Sequence, residues 1–140
     1  MAQAQAQANL VNERQEIITG NDNIVIVDVF QSIRGGRTLD VTGFTPEVIK
    51  AGHVIIKETA TGEYKPMPVD LTTDPANPAY AELPTGHTYA GILIQSLLTK
   101  RPMAGIMVRG TVNPAAAPYP MDEILSDLKE SLHLIDFRED

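Results

Sequence analysis

The chain has 140 residues, of which 43% are hydrophobic, no cysteine and a formal net charge of -7. A chain of this length buries one good core, so we expect one domain. The lack of cysteine excludes disulfides, thiolate nucleophiles and cysteine metal sites. There is no apolar run of 18 residues, and the N-terminus has neither a basic start nor an apolar core. We therefore expect no membrane span, no signal peptide and synthesis in the cytoplasm.

The negative charge is concentrated at the C-terminal end of the chain. Residues 122–140 hold seven carboxylates and two cations, and the remaining 121 residues are nearly neutral. A nucleic-acid partner requires a basic stripe that neutralises phosphates, and the chain has none, so we expect no nucleic-acid binding. We interpret the acidic end as a solvated face.

In chain order, residues 1–22 are predicted to be a mobile N-terminal arm, and residues 23–140 a single mainly-β domain. The arm begins with alternating Ala and Gln, a composition that buries little surface. IVIVDVF at 24–30 is rich in β-branched residues and predicts a strand buried on most of both faces. Asp28 interrupts that run and indicates a bulge or an exposed edge.

The next segments predict a turn and a hairpin. IRGGRT at 33–38 carries paired glycines without the Gly-Lys-Ser/Thr ending of a phosphate loop, so we interpret it as a plain turn between the first strand and RTLDV. HVIIKETATGEYKPMPV at 53–69 predicts a hairpin that turns around Thr61-Gly62. Its second strand contains Pro66 and Pro68, which donate no ladder hydrogen bonds, and should lie at a sheet edge. The proline-rich stretch at 66–84 predicts a long surface loop.

The C-terminal half predicts two more strands and one helix. The strands lie at 88–95 and 103–112, where Gly91 and Gly105 indicate close backbone approach, bulges or bends. PMDEILSDLKESLHLIDF predicts a helix over 122–133, capped by Asp122. Its apolar face should contain Ile124, Leu125, Leu128 and Leu132. LIDF should return as a short strand.

The sequence offers little to catalysis. His53, His87 and His133 lack metal-ligand spacing, and we interpret His53 and His87 as polar surface groups. We expect no catalytic residue, no cofactor and no metal. Two alternatives remain open: a small β-barrel enzyme that uses Asp28, His53 or His87 in a cleft, and a surface carbohydrate-binding module. The absence of Trp, with only four Tyr, counts against the sugar binder.

Three segments carry a resemblance to a known family. IKAGHVIIKETATGEYKPM, TYAGILIQ and AGIMVRGTVNPAA resemble phage head decoration and head fibre proteins, over about residues 37–138. The resemblance implies a non-enzymatic structural protein on the outside of a capsid, and thus on the virion surface. It also implies a small β-barrel or β-tulip-like body. The chain has no long repetitive stalk, which favours a decoration protein or the base of a head fibre.

The same resemblance implies the major capsid protein as partner and a homo-oligomer, most simply a trimer. The oligomer has a physical motive as well, because the predicted strands and helix offer more aliphatic surface than one small body hides. The N-terminal arm fits a segment that orders on the capsid, with Ile17 and Ile18 as anchors and Arg14 nearby. A merely loose terminus is the alternative for the arm.

Overall fold

The structure, a computed structural model, describes residues 19–139, and strands make up most of its regular structure. The helices are α1 (Asp22–Val25) and α2 (Leu125–Ser131), with a 3-10 turn at Pro114–Ala116. The strands are β1 (Ile26–Ser32), β2 (Arg37–Thr38), β3 (Val48–Ile49), β4 (Val54–Glu58), β5 (Tyr64–Pro66), β6 (Val69–Asp70), β7 (Ala79–Tyr80), β8 (His87–Leu93), β9 (Leu97–Leu98), β10 (Met103–Ala104), β11 (Ile106–Val112) and β12 (Ile135–Phe137).

The longer strands form one sheet in the order β1-β11-β8-β4-β5, and β12 pairs with β11 in parallel. Three two-stranded ladders, β10-β2, β3-β9 and β6-β7, lie outside it. The prediction of a mainly-β fold is confirmed. Within residues 19–139 the sheets do not close into a barrel, because β1 and β5 stand at opposite ends of the strand order and do not pair. Of the two expected bodies, a small β-barrel or a β-tulip-like body, the closed barrel is therefore wrong.

The predicted hairpin is confirmed as β4 and β5, which pair antiparallel. Gly62 lies in the turn with φ +76°, a backbone conformation that most side chains disfavour. Pro66 pairs opposite Ile55 on β5, the last strand of the sheet. A proline is tolerated there because the edge strand needs fewer ladder donors.

The two Ala-Gly strands are confirmed as β8 and β11, which pair through Leu93 with Ile106 and Ile92 with Met107. A Cβ atom on Gly91 would stand 2.4 Å from the Met107 carbonyl oxygen, so this glycine permits close backbone approach. A register shift between β4 and β8 occurs at the same place. Gly105 is different, since a Cβ there meets only Ile94 at an ordinary 3.5 Å.

Two hydrophobic clusters cover opposite faces of the sheet. Val54 and Ile56 of β4 belong to one cluster, and Ile55 between them belongs to the other. This alternation follows from the period of two along a strand. All three side chains are buried, so β4 is the centre of the core.

The C-terminal helix is shorter than predicted. α2 starts at Leu125 after an Ile124 N-cap without a side-chain cap bond, so the Asp122 cap is wrong. Its apolar face is confirmed, since Leu128 and Leu132 are buried and Ile124 and Leu125 pack against the same cluster. The predicted return strand is confirmed as β12.

Two predictions fail at the N-terminal strand and the proline-rich loop. The strand expected at 24–30 begins at Ile26, after the single turn of α1, and is exposed from Asp28 onward rather than buried on both faces. The stretch expected as irregular loop contains the β6-β7 ladder, and Met67 and Tyr80 in it are buried. Neither the exposure of β1 nor the burial of Met67 and Tyr80 can be predicted from the local composition, because both depend on elements that are distant in the sequence. No helix within residues 19–139 is long and apolar enough to cross a membrane.

Candidate functional surface

Among residues 19–139, β1 forms one edge of the sheet and pairs with β11 alone. Two of its exposed side chains are apolar, Val29 and Phe30, and Phe30 is 70% exposed. Register shifts between Ile26 and Asp28 and between Val29 and Gln31 indicate bulges, which turn side chains out of the regular alternation. We call Val29 and Phe30 the β1 patch. An aromatic ring so exposed beside an aliphatic side chain is typical of a contact site.

A groove of about 560 Å³ lies along the start of β1. Its lining includes Thr19, Asp28, Ile94 and Ser96. The Asp22 carboxylate accepts hydrogen bonds from the Ser96 N–H (3.0 Å) and from its hydroxyl (2.7 Å). These bonds hold the start of α1 against the segment that follows β8.

The residues predicted to contact the capsid are not among those that the structure describes. Arg14, Ile17 and Ile18 lie outside the described residues, as does most of the predicted 1–22 arm. Asp22, the last residue of the predicted arm, accepts a hydrogen bond from the Ser96 hydroxyl and therefore belongs to the folded domain. Ile18 is adjacent in sequence to Thr19, which lines the groove.

The three residues of the alternative enzyme do not converge. Asp28 is exposed on β1, as expected for an edge or bulge, and lines the 560 Å³ groove. His87 begins β8 and lines other grooves. His53 is fully buried, so its interpretation as a surface group is wrong. It is buried because segments distant in the sequence cover it: Phe44 before β3, Met67 before β6, Tyr80 of β7 and Tyr119 after the 3-10 turn.

An aromatic cage surrounds His53. The rings of Phe44, Tyr80 and Tyr119 stand edge-on to the imidazole, with centroids 5.2–5.6 Å away. The Nε2–H donates to the Met67 carbonyl oxygen at 3.0 Å. Nδ1 has no hydrogen-bond partner among the described residues. Burial lowers the pKa of His53 from 6.5 to about 4, partly offset by the bond to Met67.

Two further grooves lie elsewhere on the surface. One of about 610 Å³ runs between β8 and α2 and contains four carboxylates, those of Glu82, Glu123, Asp127 and Glu130. A smaller one of about 270 Å³ is lined by prolines, Phe44, Lys65 and His87. No group of three or more His, Asp or Glu within residues 19–139 is placed to hold a metal ion.

Sequence reasoning missed the exposure of Phe30 and the cage around His53. Asp28 was a partial signal for the exposure of Phe30, because a carboxylate within an aliphatic strand indicates that the strand is exposed there. The cage had no signal, since its aromatic members are separated by dozens of residues. Comparison of the chain with protein-family models, curated proteins and solved structures finds no match.

Proposed function

We propose that this chain is a non-enzymatic structural protein of a phage or prophage, which decorates or reinforces the outer surface of a capsid. The observation that carries the proposal is the β1 patch, an exposed aromatic and aliphatic pair on a strand that has only β11 as a partner within residues 19–139. The resemblance of three segments of the sequence to head decoration and head fibre proteins supplies the kind of partner. The protein would be made in the host cytoplasm and act on the virion surface.

The position of Thr19 supports the same proposal. Thr19 lines the groove beside β1 and directly follows residues 1–18 in the sequence. Ile17 and Ile18, with Arg14 nearby, would contact the major capsid protein there. A segment that orders on a partner gains affinity from main-chain hydrogen bonds and apolar anchors. The β1 patch and these anchors would then form one continuous contact.

A homo-oligomer, most simply a trimer, is part of the proposal. Phe30 is 70% exposed, so most of its ring would be available for packing against a second copy of the chain. Cyclic symmetry would place equivalent N-terminal segments together, and a symmetric capsid site could bind several at once. Multivalency raises the affinity without any new contact within one subunit.

Co-sedimentation with shells of the major capsid protein from the same phage or prophage genome tests the proposal. The wild type should bind, and Phe30→Ser or the pair Ile17→Ser and Ile18→Ser should weaken binding about tenfold or more, because truncated anchors cost over 1 kcal/mol each. Met103→Ser is the matched control, since Met103 is 71% exposed and lies on β10, which pairs with β2 and not with β1. It should bind as the wild type does.

The opposite outcomes are equally clear. Failure of the wild type to bind shells would overturn the decoration function. Binding that Phe30→Ser and Met103→Ser weaken equally would remove the β1 patch from the contact. Retention on a glycan array by a protein that ignores shells would favour the carbohydrate-binding alternative.

A further inference from the structure

The residue immediately before β4, His53, has a buried imidazole, and the surroundings of this ring favour only its neutral form. A carbonyl oxygen only accepts hydrogen bonds, so the contact with Met67 requires the proton on Nε2. Nδ1 therefore holds a lone pair, buried and without a partner among the described residues. A proton added to Nδ1 would find no acceptor, and the charged ring would lie in an apolar cage.

The backbone around His53 is held more firmly than the cage. The His53 N–H donates to the Lys50 carbonyl, and its own carbonyl accepts from the Leu93 N–H. β4 is bonded on both sides, to β5 and β8. A charged imidazole at this position cannot easily leave by moving its own strand.

The cover over His53 is the weaker part. Residues 67–81, which we call the β6-β7 flap, are closed by a ladder of only two residue pairs. Their central stretch, 71–77, is exposed. The flap is attached to the sheet by the Met67 N–H bond to the Val54 carbonyl, by the Val54 N–H bond to the Tyr80 hydroxyl, and by contacts of Met67 and Tyr80 with His53. Met67, Val69 and Tyr80 also pack in the hydrophobic cluster that contains Val54 and Ile56.

We propose that His53 is an acid-sensitive latch for this flap: protonation of Nδ1 detaches the β6-β7 flap from the sheet, while β4, β8 and β11 stay paired. Opening admits water to the imidazolium and leaves the main ladders intact. The inference stands on the geometry of the cage and does not depend on the capsid function.

The sign of the pH effect follows from the depressed pKa. The closed state holds neutral His53 with a pKa of about 4, and an open state with a solvated ring would have the ordinary value of 6.5. The open state therefore binds more protons between these values. The closed state has its full stability above pH 6.5 and loses it as the pH falls toward 4. From pH 8 to pH 5 the opening constant should rise about 30-fold.

Other titratable groups near the cage do not explain this window. The phenols of Tyr80 and Tyr119 touch the ring, and burial raises the pKa of each, so both stay neutral in acid. On the segments that cover the ring, hydrogen bonds from threonines lower the pKa of Asp40 and Asp70. Two more charged groups of the 40–50 segment, Glu47 and Lys50, are exposed. None of these four contributes to the His53 shift.

Native-state hydrogen exchange at pH 8 and pH 5, corrected for intrinsic rates, tests the latch. In the wild type the protection factors of the Met67 and Val54 amides should fall about 30-fold, because both amides are bonded across the flap boundary. The Ile92 and Met107 amides of the β8-β11 pair should change much less. His53→Gln should abolish the fall, since its amide donates to Met67 but does not titrate. His133→Gln, on an exposed residue, should keep it.

Each contrary result overturns the proposal. Equal loss of protection at Met67 and Ile92 would indicate a global acid effect instead of a latch. A fall that persists in His53→Gln would place the titrating group elsewhere. Should His53→Gln not fold, the wild-type ring is followed by NMR: a ring that titrates while the Met67 and Val54 amides keep their protection disproves the coupling.

Discussion

At the scale of single residues, two glycines next to long strands differ in what surrounds them. A Cβ atom on Gly110 would stand 2.2 Å from the Asp28 carbonyl oxygen and 2.5 Å from the Met107 sulfur. Gly110 thus lets β1 approach β11 at the point where β1 is bulged. Gly105, five residues earlier, has only an ordinary contact with Ile94.

We predict that Gly110→Ala lowers the free energy of unfolding by about 1–3 kcal/mol, because backbone must shift to admit the methyl group. Gly105→Ala is the matched control and should change stability by less than about 0.5 kcal/mol. Denaturant unfolding followed by circular dichroism measures both. Equal effects for the two substitutions would show that β1 does not pack against Gly110 as closely as described.

At the scale of elements, the β4-β5 hairpin depends on its turn. The turn positions Tyr64 opposite Lys57, and Lys65 reaches the Glu58 carboxylate at 3.2 Å. Thr61 donates to the same carboxylate, and these bonds lower the pKa of Glu58. Such solvent-exposed contacts are individually weak, so the turn geometry sets the register.

We predict that Gly62→Val destabilises the protein by about 1–2 kcal/mol, since a β-branched residue is strained at positive φ. Gly62→Asn should cost clearly less, because Asn tolerates this conformation better. The space around Gly62 is open, with only Lys57 Cε at 3.9 Å from an added Cβ, so a steric clash is not the cause. Thermal unfolding of both variants separates strain from packing; identical melting temperatures for Val and Asn would contradict the strained turn.

At the scale of the whole molecule, hydrophobic clusters cover both faces of the central strand β4, whereas β1 at one edge of the described sheet exposes the β1 patch. The β1 patch lies outside both clusters. Within residues 19–139, no element covers most of the Phe30 ring, which is 70% exposed. The proposed oligomer would cover it.

We predict that light scattering on the purified protein gives a mass near three times 15.2 kDa, the mass of one chain. Phe30→Ser should shift the population toward the monomer if this ring packs between copies. Met103→Ser should leave the mass unchanged. A wild type that stays monomeric at high concentration would remove the trimer, and shell binding would then have to depend on single copies.

Several elements could be predicted from the sequence alone because their signals are local. Gly62 between two β-rich segments predicted the hairpin, and Pro66 predicted its edge position. The spacing of Leu128 and Leu132 predicted the apolar face of α2. The mainly-β class followed from the same local patterns. The predicted Asp122 cap was wrong, because the helix begins only after Ile124.

The tertiary structure alone decided which of these elements are covered. The sequence marked the segment at 24–30 as a strand but not as an exposed edge, since burial depends on which neighbours pair with it. It likewise left His53 as an ordinary polar residue, because Phe44, Tyr80 and Tyr119 meet it only after the chain has folded. Backbone preference acts over a few residues and is written locally in the sequence, whereas burial and the pKa of a side chain are set by groups distant in the chain.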